Sequence, residues 1–167
     1  MNESELRAAF AAFVDGLVEN AVATELKGCT QQEIAALERA HDCKLPLAYR
    51  LFLETMGHSA GRLFSHDHME VTYDDVLNHN RDSLESGKND PAEPEAAEFS
   101  LPARSVVIAS RLREQFLYIV CDDPLEVPVH YVNHWDYVSQ QWHPSILEWL
   151  RAWEAEAVEV IADGYYE

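Results

Sequence analysis

Apolar positions recur at three- and four-residue steps near the start of the chain: Leu6, Phe10, Phe13, Leu17, Val18, Ala21 and Val22. That period predicts an amphipathic helix. Asn2 and Glu5 have capping-box spacing at its start, and Gly28 is the expected stop. A second helix opens at Thr30, where Thr30 and Glu33 repeat that spacing and Ile34, Leu37 and Ala40 form one apolar face. A third starts near Leu45-Pro46, since proline suits a first helical turn. Tyr49, Phe52, Leu53 and Met56 form its stripe, and Gly57 ends it.

From Gly61 the pattern changes. Gly61 to Phe64 reads as a strand or extended connection, Met69 to Thr72 as a sheet edge, and Tyr73 to Leu84 as weakly helical. Glu85 to Ser100 combines Ser-Gly, Asn-Asp-Pro and several glutamates with almost no apolar residue, which predicts a mobile loop. Val106 to Ala109 is one strand. Phe116 to Cys121 is another, apolar on both faces and so expected at the sheet centre. Asp122-Asp123-Pro124 makes a turn, and Val127 to Val132 is a further strand. A closing helix from about Pro144 to Ile161 carries Ile146, Trp149, Leu150, Trp153, Ala157 and Ile161 on one stripe. Helices, then strands, then a helix predict an α+β fold with a mainly antiparallel central sheet. Residues 1–167 read as a single domain with an acidic flexible insert at about 85–100.

Charge adds the next constraint. Against 12 Lys and Arg stand 30 Asp and Glu, a formal net charge of -18. Such a field opposes nucleic acid, whose affinity rests on Lys and Arg at phosphates, and anionic membranes. It steers cationic partners inward. Acidic surfaces also serve solubility alone. Cys29, Cys43 and Cys121 are odd in number and fit no zinc spacing, so reduced thiols are expected. The acidic start has no secretory pattern and no apolar stretch nears ~20 residues, so a cytoplasmic location is expected.

The segments Gly28 to Glu38 and Lys44 to Leu53, with Gly57 and Gly61 beyond, resemble the signature of the SUKH superfamily (Smi/Knr-like). That superfamily includes bacterial immunity proteins and yeast cell-wall regulators. His58 departs from the pattern, standing where a second glycine is common, and so does the acidic insert. The resemblance implies a SUKH-like fold and a member that protects its producer by binding a polymorphic toxin, often a nuclease. It supplies no catalytic residue. By it, Thr30 and Glu33 cap, Leu37, Tyr49, Phe52 and Leu53 pack, and Gly57 and Gly61 shape the backbone.

The remaining chemistry yields three readings. In the first, an immunity protein binds a toxin with a basic surface. Asp74, Asp75, Asp122, Asp123, Glu126 and Asp136 would cluster on one sheet rim and meet its Lys and Arg, with Trp135 and Tyr137 as anchors. Turn chemistry explains Asp122-Asp123-Pro124 equally well, and polar-aromatic turns around His134 and Trp142 ordinarily complete a core edge. In the second, the same fold is a regulatory or scaffold module with a self partner. In the third, His66, His68 and His79 hold a transition metal in an enzyme, without the helical spacing that such sites favour. Cys121 with His130 makes a nucleophile pair on paper, but so apolar a strand predicts an inert thiol. No cofactor motif is present.

Overall fold

Helix starts in this protein are set by groups that take up orphan backbone amides. The computed structural model describes residues 1–86, 92 and 98–166. Helix α1 (Glu3–Glu19) is capped by Asn2 and Glu5, each accepting the other's backbone N–H. Thr30 and Glu33 do the same for α2 (Gln31–His41), as the spacing predicts. For α3 (Leu47–Met56), Pro46 stands at the cap without a side-chain bond. The Leu47 and Ala48 amides instead donate to the carbonyls of Pro124 and Leu125, so a distant turn is pinned beneath this helix. A third capping box, Thr72 with Asp75, opens α4 (Tyr73–Asn78). Helix α5 (Asn80–Glu85) follows at once, and α6 (Ile146–Ala162) closes the fold.

Helix α1 stops nine residues before Gly28. The Val22 amide donates to the Leu17 carbonyl and the Ala21 amide to Val18, with Ala21 left-handed at φ 58°. That is the Schellman closure built on alanine instead of glycine, so composition alone hides it. Likewise Gly61 to Phe64 is not a strand. β1 (Leu26–Lys27) pairs with β2 (Ser59–Ala60) in a small antiparallel sheet, and the chain then turns at Gly61, whose φ is +60°.

The main sheet holds β3 (Met69–Glu70), β4 (Ser105–Arg111), β5 (Gln115–Val120), β6 (Val129–Asn133) and β7 (Gln140–His143), in that spatial order. All neighbours are antiparallel. The protein is therefore α+β: N-terminal helices, a five-stranded antiparallel sheet and a C-terminal helix. Bulges interrupt the β4–β5 and β6–β7 pairings at Val107/Ala109 and Val129/His130, and each re-aims the side chains that follow.

Alternation along β5 splits the interior in two. Leu117, Ile119 and Cys121 join the main core with the helices, where Phe52 is fully buried between Tyr49, Phe64 and Trp149 at centroid distances of 5.7, 6.2 and 6.2 Å. Phe116 and Tyr118 face the other way, into a smaller cluster with Leu84, Val107, Val132 and Tyr137, flanked by Phe99 and Leu101. The acidic insert expected at about 85–100 falls mostly on residues 87–91 and 93–97, outside the described residues.

Candidate functional site

A cleft of ≈ 550 Å³ opens between α6 and the strands. Tyr131 of β6 and Trp142 of β7 form one wall, their rings 5.1 Å apart, and Trp153 of α6 contributes to the other. At the rim Arg111 grips Asp67, with Nε and Nη2 donating to Oδ1 at 2.9 and 2.8 Å. That pairing neutralises one acid and leaves Glu156, on α6, as an exposed carboxylate over the cleft. Behind Trp153 lies His66, its side chain 8 % exposed and its Nε2 3.8 Å from Glu156 Oε2. Neither His66 ring nitrogen has a hydrogen-bond partner among the described residues. Burial holds His143, also on the lining, below the ordinary imidazole range. Aromatic walls with a lone carboxylate suit apolar or cationic side chains of a binding partner.

The cleft continues onto the β6–β7 hairpin. Trp135, Val138 and Trp142 are 63 %, 62 % and 54 % exposed, and Gln140 and Gln141 of the edge strand β7 also face solvent. An exposed apolar run along a sheet edge marks a contact surface. Of the aromatics expected to finish a core edge, only Tyr137 does so. It is buried at φ 52°, 5.7 Å from Phe99 and 5.6 Å from His134.

The acids singled out by sequence are dispersed. Asp74 and Asp75 lie in the first turn of α4, where Asp75 caps and Asp74 accepts from Asn78 at 2.7 Å. Asp122, Asp123 and Glu126 occupy the β5–β6 connection. Trp135, Asp136 and Tyr137 occupy the β6–β7 connection, at the opposite end of the sheet. Asp123 accepts from the Leu125 and Glu126 amides, the Leu125 bond being the larger reason its carboxyl titrates below the usual range. Asp136 accepts from Val138 at 2.9 Å. Glu126 points inward: its carboxylate accepts from the Ile146 and Leu147 amides at the start of α6, and burial pushes its pKa up to about 7. Asp74, Asp122, Asp123, Trp135 and Asp136 thus remain at the surface.

The histidines weighed as metal ligands also separate. His66 packs behind the cleft, His79 lies 3.5 Å from Asp74, and His68 is exposed at φ 53°. Cys121 is buried and its thiol is pushed far up, first by its hydrogen bond to Cys43 and then by burial. All three cysteines are free. Among the described residues, the side chains that do converge with ligand chemistry are Cys29, Glu33 and His58. Sequence reasoning gave Glu33 to capping and met His58 only as a departure from a pattern. No helix among the described residues is long and apolar enough to cross a membrane.

Fold and site together define an α+β domain that packs its longer helices on one face of an antiparallel meander and the short α5 on the other, and leaves an aromatic cleft at its edge. The chain belongs to the SMI1/KNR4 family (SUKH-1), whose sequence model matches residues 28–152. That span begins at the Gly28 turn before α2 and ends within α6. No curated protein matches the chain at a significant level.

Proposed function

We propose that this protein is a bacterial, cytoplasmic immunity protein that binds a cognate polymorphic toxin, a basic nuclease-type domain, and silences it by stoichiometric occlusion rather than by catalysis. The observation that carries the reading is the β6–β7 hairpin. It presents Trp135 in its turn and Trp142 on the edge strand to solvent, beside an aromatic cleft, on a chain of net charge -18. Tryptophans are the anchors that dominate protein interfaces. The charge speeds encounter with a cationic partner. Membership of SUKH-1 is compatible with this role.

Within this reading Trp135 and Asp136 make contact directly. Asp74, Asp122 and Asp123 act at longer range, drawing in the Lys and Arg that a nuclease aims at phosphates. Glu126 and Tyr137 hold the surface from beneath.

The test begins with the immobilised protein in extract of the cells that make it. Proteins released by a salt step are identified, then expressed with and without this chain. A captured protein that stops growth, with growth restored by this chain, supports the reading. Truncating Trp135 and Trp142 to alanine is expected to weaken the complex by at least ~2 kcal/mol, about 30-fold in Kd. A salt-resistant complex with a harmless housekeeping protein refutes the toxin and moves the function to a regulatory module of the same fold.

A further inference from the structure

We propose that Cys29, Glu33 and His58 form a binding site for a divalent metal ion of the zinc type. The Cys29 thiol, a Glu33 carboxylate oxygen and a His58 ring nitrogen all lie within 4.8 Å of one another. Zinc takes sulfur, imidazole nitrogen and carboxylate oxygen together, at ~2.0–2.3 Å each. Ligand atoms in such a tetrahedral shell stand roughly 3.3–3.7 Å apart, so small side-chain rotations close the present spacing around one ion.

The backbone fixes this corner. The Cys29 amide donates to the Leu53 carbonyl at 2.7 Å, and the His58 amide donates to Lys27 at 2.8 Å. These bonds bring the segment before α2 against the end of α3. Contact is possible only because both segments carry glycine there. A Cβ at Gly57 would stand 2.4 Å from the Cys29 sulfur, and one at Gly28 would stand 1.8 Å from the Glu54 carbonyl oxygen.

Each ligand is also oriented. One Glu33 oxygen, Oε2, accepts from the Thr30 amide and hydroxyl at 2.7 and 3.0 Å. The other, Oε1, faces His58 Nε2 at 2.9 Å. Capping and ligation thus use different oxygens of one carboxylate, and Thr30 supplies the outer support that metal ligands ordinarily have. The His58 ring stands edge-on to Tyr73 at 5.5 Å. Glu33 and His58 side chains are 32 % and 27 % exposed, so water reaches the fourth position. Burial and the neighbouring Glu33 push the Cys29 thiol up to about 12. An ion at this point offsets both effects and displaces the proton. None of the three ligands is among the residues assigned to toxin contact, so the site is independent of the toxin reading.

The test uses the full-length protein, stripped with a chelator and titrated with Co²⁺ and then Zn²⁺. One equivalent of Co²⁺ is expected to produce a thiolate-to-cobalt charge-transfer absorption that Zn²⁺ abolishes. Cys29→Ser is expected to remove that absorption. His58→Gly, or His58→Gln if the glycine variant fails to fold by circular dichroism, is expected to weaken binding at least ~10-fold. Cys43→Ser and Cys121→Ser are expected to leave it intact. Folded wild-type protein that shows no thiolate absorption overturns the proposal. So does absorption that survives Cys29→Ser and vanishes in Cys43→Ser, which assigns the ion to the other thiol pair.

Discussion

Glu126 couples the stability of this protein to pH in a direction opposite to most carboxylates. Its side chain closes the start of α6 by accepting the Ile146 and Leu147 amides. One oxygen, Oε2, is buried without a hydrogen-bond partner among the described residues. Burial, with Asp123 and Glu148 nearby, carries its pKa to about 7 from the ordinary 4.5, against the pull of the two amides. Between those values the folded state holds a proton that the unfolded chain has released, so stability declines as pH rises through that window. At ~1.36 kcal/mol per pH unit the ceiling is ~3 kcal/mol. Partial exposure screens the charge, and the positive end of α6 returns ~0.3–1 kcal/mol, leaving a net effect of ~1–2 kcal/mol. Glu126→Gln keeps the shape and the acceptor and removes the charge. Urea unfolding, followed by tryptophan fluorescence from pH 5 to 8, compares the two proteins. The variant is expected to match wild type near pH 5 and exceed it by ~1–2 kcal/mol at pH 8, roughly 2–8 °C in Tm. His41, His130 and His143 titrate in both proteins and cancel from the difference. Parallel pH profiles, or a variant less stable at pH 8, would overturn this coupling and show that the anion's hold on the helix outweighs its desolvation.

Two further outcomes follow from the geometry. Gly28→Ala sets a Cβ 1.8 Å from a backbone oxygen, and is expected to abolish the native near-ultraviolet circular dichroism. Alkylation with iodoacetamide is expected to modify Cys43 first, because it is partly exposed and the Cys121 thiol hydrogen-bonds to it and lowers its pKa, whereas burial raises Cys29, and the bond to Cys43 followed by burial raises Cys121. Peptide mapping over time checks the order.

Elements with a strong local signal were legible in the sequence. Asn2/Glu5 and Thr30/Glu33 mark the starts of α1 and α2, both-sided apolarity marks β5 as central, and the tryptophan stripe marks α6. Elements made by pairing alone were not. β7 reads Gln-Gln-Trp-His and is almost wholly exposed, so no alternation announces it. β1 and β2 are two residues each, too short for any period; β3 is as short, but Met69 to Thr72 reads as a sheet edge and β3 takes that place. The site divided in the same way. Trp135 and the surface acids are visible as residue types, but turn positions do not say which sheet end they occupy. The cleft draws Arg111, Tyr131, Trp142 and Trp153 from four elements, and that convergence exists only after the meander folds. Cys29 and His58 are 29 positions apart, and the close approach at Gly57 that joins them has no local signature.

The two-sided burial of β5 has a kinetic consequence. The smaller cluster is roofed by α5 and the Phe99–Leu101 segment, both short pieces. Lifting that roof leaves every strand ladder and the helical core in place, so it is expected to open as a sub-global unit at a fraction of the full unfolding free energy, which hydrogen exchange would read. Amide hydrogens in α5 then exchange with solvent through this partial opening, while those of α3 wait for global unfolding. On that expectation, exchange on one face of the sheet reports overall stability and on the other a local opening.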